Sequence, residues 1–333
     1  MRAVFLSILL FLSTPLLAQE VNRPMQDTLK EVTIKSQSVK RVLHSAKEFV
    51  VDYSFVDGYI LVASYSSPNQ KDPKLFLLTR MGDTASIAHL PEAPSELYKS
   101  CGGKWYCVTD DVLYPLDIDT GNLQISGAYS LSVYDELRIC QYATQDVIYY
   151  GFFDRRKWDI TYAYAKNGKD ELHTVLHFDD RQTRIGKETE RKFPLSAGAS
   201  YLLDRNAFRY LNQPLFWESN RIVAFDFRTK RIVKYDLEGN LLESAPFHLS
   251  FTNVQRLEII QDPVTREYYL HRSDNPAQQT LERINMQTGE LYTAIPIEKP
   301  FISKLKVFDG EIYYLFQDSA EPTTQQLFVQ RGF

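Results

Sequence analysis

Short extended runs broken by glycine turns at a near-constant interval predict an all-β chain, and the interval is that of a six-bladed β-propeller with four-stranded antiparallel blades. Three observations carry this. The 333 residues are 13% aromatic, with 21 Tyr and 20 Phe among many short Val/Ile runs, which favours strands. Tight turns recur at Gly82, Gly121, Gly168, Gly239 and Gly289, at spacings of 39, 47, 71 and 50 residues, and a blade repeats about every 40 to 50 residues. A second hairpin precedes most of these turns, which gives each unit the four strands a blade needs.

The chain opens with Met1-Arg2, an apolar stretch from Ala3 to Leu17, and Leu16-Leu17-Ala18. A basic start, an apolar core and a small final residue read as a secretory signal peptide over 1–18, cut after Ala18. The run is shorter than the roughly 20 apolar residues of a membrane span and is broken by Pro15. Residues 19–37 then form an extended segment or linker, and 38–333 the propeller.

Within the propeller the paired hairpins set six units at about 48–92, 94–132, 135–178, 212–249, 254–297 and 302–333. Glycine at each turn supplies the positive φ that a tight hairpin demands. The third unit is expected to open with strands over 139–143 and 146–150. The last unit lacks a fourth strand, since no hairpin follows Gln326-Leu327-Phe328-Val329. The donor expected there is 38–44, whose pairing would close the ring and remove an exposed edge.

The unit Arg231-Ile232-Val233-Lys234-Tyr235-Asp236-Leu237-Glu238-Gly239-Asn240 and blade-opening hairpins such as 53–61 resemble the six-bladed propellers of the NHL and TolB-like type, particularly secreted ones of Bacteroidetes. The resemblance spans about 38–333. It implies an architecture and no activity.

Three cysteines, Cys101, Cys107 and Cys140, allow one disulfide at most. Cys101 and Cys107 flank a hairpin, so a bridge between them and burial as small apolar residues are both open. A net charge of −4 gives no electrostatic case for nucleic acid.

The tight turns fall on one face of such a ring and the long connections on the other: 66–73, 153–157, 271–276 and 317–322. Loops on a rigid scaffold carry binding residues, so Arg155, Arg156, Lys157, His271 and Arg272 are binding candidates. An insertion at about 180–211 causes the 71-residue spacing and adds Arg181, Arg184, Lys187, Arg191 and Lys192, with a short amphipathic helix expected over 199–210. Its bases suit an acidic or membrane-apposed partner, although Glu188 and Glu190 offset them. Before the ring, 27–34 resembles the short extended segment near the start of many Bacteroidetes TonB-dependent receptors. The resemblance implies docking by strand addition, with Asp27, Leu29, Val32 and Ile34 as the reading positions.

Local chemistry is sparse. His173 and His177 on one strand would share a face about 13 Å apart, too far for one metal site. Asp117-Ile118-Asp119-Thr120-Gly121-Asn122 is similar to the start of a calcium loop, but position twelve is Ala128 and a hairpin fits better. Nucleophile elbows, phosphate loops and zinc pairs are absent from the sequence. The innermost strands would bring Asp52, Glu96, Arg138 and Glu258 to the axis, as channel lining or as parts of a distributed site.

The reading is an exported propeller of the periplasm or cell surface that binds a protein partner in the cell envelope, with an outer-membrane complex as the partner to look for. It needs no cofactor and no metal, and acts as a scaffold rather than an enzyme. Two alternatives stand beside it. One is a propeller hydrolase or lactonase with an axial metal; the other is an outer-membrane β-barrel, suggested by aromatic content and the terminal Phe333 but opposed by Arg331 in the last strand.

Overall fold

Strand formation starts where valine and aromatic residues first alternate, at Glu48 to Val56. The computed structural model describes residues 39–331 except 44, 46, 67–69, 155–158, 167–168, 170, 180–213, 228 and 250–256. Contacts divide the chain after Ser36, and every described residue belongs to the unit Gln37–Phe333.

The first blade is the antiparallel meander Glu48–Val56, Tyr59–Ser66, Lys71–Leu78 and Thr84–His89. Its first turn places Asp57 and Gly58 at φ +45° and +86°, the left-handed pair of a two-residue hairpin. The second blade runs through Glu96–Lys99, Trp105–Val108, Val112–Asp119 and Asn122–Ile125. Asp119 pairs with Asn122 across Thr120 and Gly121, so the calcium-like stretch is a hairpin. The third blade is Cys140–Ala143, Val147–Asp154, Asp159–Lys166 and His173–Asp179; the fourth is Leu215–Trp217, Ile222–Asp226, Arg231–Tyr235 and Leu241–Pro246. The fifth is Leu257–Gln261, Tyr268–Arg272, Thr280–Arg283 and Ile295–Pro296.

A C-terminal meander follows as Ser303–Phe308, Glu311–Gln317 and Gln325–Arg331. Its outer strand pairs antiparallel with Lys40–Arg41, matching Lys40 to Val329 and Arg41 to Phe328, and the Val42 N–H donates to the Leu327 carbonyl at 2.9 Å. The chain is an all-β propeller of four-stranded antiparallel blades. A barrel wall needs one sheet joined edge to edge, whereas the described strands divide into five sheets, the largest formed where Phe49 and Gln325 link the first blade to the C-terminal meander, which removes the barrel alternative.

A lone hairpin is marginal in water, so burial between blades must hold the assembly together. Leu61, Leu75, Leu77, Trp105, Tyr114 and Leu116 pack the first blade on the second. Tyr149, Val175 and Ile222 join the third to the fourth, Phe225, Phe247 and Tyr268 the fourth to the fifth, and Tyr269, Leu281, Ile312 and Tyr314 the fifth to the C-terminal meander. Val42, Tyr53, Val62, Tyr313 and Leu327 then pack that meander on the first blade. The Tyr53 hydroxyl lies 2.6 Å from the Lys304 carbonyl and 2.8 Å from that of Tyr313, which seats this wholly buried ring across the same seam.

The glycines do more than turn the chain. Gly239 and Gly289 have φ +91° and +71°, and a Cβ on them would lie 2.1 Å from the Val175 carbonyl oxygen and 1.8 Å from that of Pro246. Each of these turns is therefore pressed against the outer strand of the preceding blade. Gly82 and Gly121 also have positive φ; Gly168 lies outside the described residues.

Two sequence expectations change here. Leu131–Ile139, read as the end of one blade and the start of strand at 139, is a helix, α1. Its Leu131, Val133, Tyr134 and Leu137 pack on Tyr106, Val108 and Leu113 of the second blade, a stripe at helical spacing. The disulfide joins Cys101 to Cys140, with Cα atoms 5.8 Å apart, and leaves Cys107 free and buried. Cys101 sits in the turn of its hairpin whereas Cys107 pairs with Leu97 well inside it, so the two cannot meet; α1 ends at Ile139 and delivers Cys140 instead.

Candidate functional site

Polar groups of the first strands of three meanders meet around Asp52. A one-residue bulge between Val50 and Asp52 lets both Asp52 and Tyr53 be buried. The Asp52 carboxylate accepts the Tyr53 N–H at 2.9 Å on Oδ1 and the Leu97 N–H of the second blade at 2.9 Å on Oδ2. From the C-terminal meander the Lys304 Nζ stands 3.3 Å and the Lys306 Nζ 4.0 Å from the same carboxylate. A second irregularity between Ser303 and Lys306, with Lys304 at φ +52°, brings both lysines to it.

Lys306 also donates to the Tyr53 carbonyl and lies 4.8 Å from that ring's centroid. Burial pushes its ammonium below the ordinary lysine value; Asp52 works against this and Lys304 adds to it. Burial, then Asp52, raises the Tyr53 phenol well above its usual range. Two ammonium groups beside Asp52 repel a cation, so this carboxylate suits bridging blades better than binding a metal. Among the described residues no three His, Cys, Asp or Glu side chains converge as a metal set.

The other axial candidates separate. Glu96 accepts the Tyr134 hydroxyl, and Arg138 lies on α1 rather than on a strand, with its guanidinium 5.2 Å from the Tyr134 ring centroid. The exposed Glu258 carboxylate is 3.4 Å from Nδ1 of His271, whose Nε2 is 2.8 Å from Oε1 of the buried Gln279. His271 and Arg272 thus belong to the strand Tyr268–Arg272 and not to the connection after it; His271 is buried and Arg272 pairs with Glu282 at 2.5 Å. His173 and His177 occupy opposite faces, because a bulge at Val175 shifts the register: His173 stands opposite Tyr164 and His177 opposite Thr161. Arg155, Arg156, Lys157, Arg181, Arg184, Lys187, Arg191 and Lys192 lie outside the described residues, as do Asp27, Leu29, Val32 and Ile34 and the helix expected over 199–210.

The tight-turn face, set aside in the sequence reading, carries a cleft of about 390 Å³ between the first and second blades. The first blade lines it with Phe55 and Asp57, and the second with Lys99, Lys104, Trp105, Asp117 and Asp119. Lys104 reaches Asp117 at 3.6 Å, and Lys99 lies 5.6 Å from the Trp105 ring centroid. Phe55 stacks on Phe308 at 4.1 Å, and the Arg80 guanidinium lies 4.9 Å from the Phe308 ring centroid. The one sequence signal was Trp105 directly after the Gly103-Lys104 turn.

No family model and no curated protein matches the sequence. Among solved structures the chain is similar to a calcium-binding protein, regucalcin, from Agrobacterium tumefaciens, at 11% identity over 89% of this chain and 95% of that one, with a TM-score of 0.42. It also overlaps a streptogramin B lyase at 14% identity over 87% and 86% of the two chains (TM-score 0.37). A chain of a mitotic checkpoint complex overlaps at 11% identity over 97% and 100% (TM-score 0.42). These low scores carry no argument about chemistry, which rests on the residues above.

Proposed function

We propose that the protein is an exported cell-envelope propeller of six blades, NHL/TolB-like, closed by its N-terminal strand and acting as a protein-binding scaffold. The observation that carries the scaffold reading is Asp52. The buried carboxylate is engaged by two backbone N–H groups and two ammonium groups from three parts of the ring, an arrangement that fixes a rigid hub and leaves recognition to the rims.

Six blades are supported by the C-terminal meander, which gains its fourth strand from Lys40–Arg41, and by the apolar cluster that joins it back to the first blade. Export is supported by the N-terminal signal pattern and by the Cys101–Cys140 disulfide, since such bridges persist in oxidising compartments. No helix among the described residues is long and apolar enough to cross a membrane. The partner is a protein of the envelope, with an outer-membrane complex the first to seek.

The test is mild crosslinking of intact envelopes, recovery of the tagged native protein, and mass spectrometry of what accompanies it, beside a variant lacking 180–211. Recovery of one envelope complex, lost in the variant, is the expected result. The protein alone in both samples sinks the scaffold reading.

A further inference from the structure

We infer that a second cleft, at the seam between the N-terminal strand and the C-terminal meander, binds a phosphate-bearing ligand. The cleft measures about 190 Å³, and its charged lining is Lys40, Arg41, Arg80, Arg331 and Glu311. Three separate segments supply the cations: the N-terminal strand gives Lys40 and Arg41, the third turn of the first blade Arg80, and the last strand Arg331.

The charges do not cancel. Arg80 holds Asp309 at 2.6 Å, and the Glu311 carboxylate, which accepts the Tyr313 hydroxyl at 2.8 Å, keeps its negative charge and stands opposite Arg331 in the strand register, so the lining remains net positive but by less than its cations alone. Lys40, Arg41 and Arg331 make no ion pair or side-chain hydrogen bond with any described residue. Like charges gathered in one small cleft repel, and an anion seated among them relieves this. Guanidinium forks match the oxygens of a phosphate bidentately, and a doubly charged group answers a lining that stays net positive beside Glu311 better than a carboxylate does. Beside the cations stand Val42, Val329 and the largely exposed Met81, an apolar wall for the substituent of a phosphate ester. The ligand would touch both strands of the seam, so its binding should stabilise the fold. This does not depend on the scaffold reading.

The test uses the full chain, with inorganic pyrophosphate as soluble probe and vesicles containing phosphatidate as the lipid probe, each in low and in moderate salt. Pyrophosphate should bind and raise the melting temperature, and Lys40→Gln with Arg331→Gln should weaken it about tenfold, which is about 1.4 kcal/mol. The melting temperature of that variant without ligand should equal or slightly exceed the parent's, because neither side chain has a described polar partner and the loss of two like charges relieves repulsion. Arg331→Lys, which keeps the charge, guards against a folding defect and should bind more tightly than Arg331→Gln. Vesicle binding about tenfold tighter than that of pyrophosphate would make the source a lipid headgroup; comparable affinities would make it a soluble phosphate ester. The inference is overturned if the double variant binds as the parent does, or if Lys104→Gln in the other cleft weakens binding equally. It also fails if pyrophosphate binds only after removal of 332–333, which would assign the cleft to the chain's own end.

Discussion

The Asp262 carboxylate accepts the Gly310 backbone N–H at 2.8 Å, joining the first turn of the fifth blade to the first turn of the C-terminal meander. Asp309 N–H reaches the same group at 3.1 Å, while Val264 and Thr265 of its own turn donate at 2.8 and 3.3 Å. Asp262 is wholly buried. Burial alone would raise its carboxyl, yet the four N–H donors hold it below the usual carboxylate value.

The pH dependence of Asp262 follows from that depression. A folded value below the unfolded one contributes stability above about pH 4, and the contribution is lost as pH falls through the folded value. Asp262→Asn should therefore cost about 2 kcal/mol near neutrality, where an amide group replaces one acceptor oxygen. The gap to the parent should narrow at about pH 3. Urea unfolding at both pH values checks it, and a gap independent of pH would show that the carboxylate charge is not what matters.

Substitutions at the turn glycines should separate by what they touch. Gly289→Ala meets both a positive φ and the Pro246 carbonyl, and should cost about 3 to 4 kcal/mol, with Gly239→Ala similar against Val175. Gly58→Ala has φ +86° but nothing within 4 Å, so only the backbone strain of about 1 kcal/mol remains. Melting curves of the three variants rank them. Equal losses would mean that the turn conformation alone selects glycine.

Those turns explain how much of the fold the sequence discloses. A left-handed residue leaves a glycine behind, so Gly58, Gly82, Gly121, Gly239, Gly289 and Gly310 mark hairpins directly. The helix α1 leaves no such mark: it is nine residues long, buries none of them fully, and its Leu131 and Val133 alternate as a strand would. Bulges are equally silent, and the one at Val175 turned His177 to the other face. The disulfide depended on where that unread helix ended. Both clefts draw on separate segments, so no spacing along the chain reveals them. Asp52 was read as an axial candidate, but its role needed Leu97 from one neighbour and Lys304 from another.

In the first blade the nearly buried Glu48 is met by Lys74 at 2.9 Å and by Ser64 Oγ at 3.1 Å, and Lys74 also holds Asp72 at 2.7 Å. Burial works to lower the Lys74 ammonium, but the bonds to Asp72 and Glu48 prevail and raise it. Lys74→Met should destabilise by about 3 kcal/mol, because it strands the buried Glu48 charge. Glu48→Gln combined with Lys74→Met should recover much of that loss. A double-mutant cycle by urea unfolding measures the coupling, and additive losses would show that the pair does not act as a unit.

The three cysteines should titrate as one buried thiol and one bridge. Burial, helped by Asp52, pushes the Cys107 thiol up to about 12. At about pH 8 its thiolate fraction is then on the order of one in ten thousand, and the side chain is fully covered. A chromogenic disulfide reagent should find no reactive thiol in the native protein, one after unfolding, and three after unfolding with reduction. The bridge spans 39 residues, so Cys101→Ser with Cys140→Ser should lower stability by about 3 to 4 kcal/mol. Two thiols in the oxidised, unfolded chain beyond Cys107 would mean that the bridge does not form. A Cys107 that reacts rapidly in the native state would mean that the packing between the first and second blades opens on the timescale of the reagent.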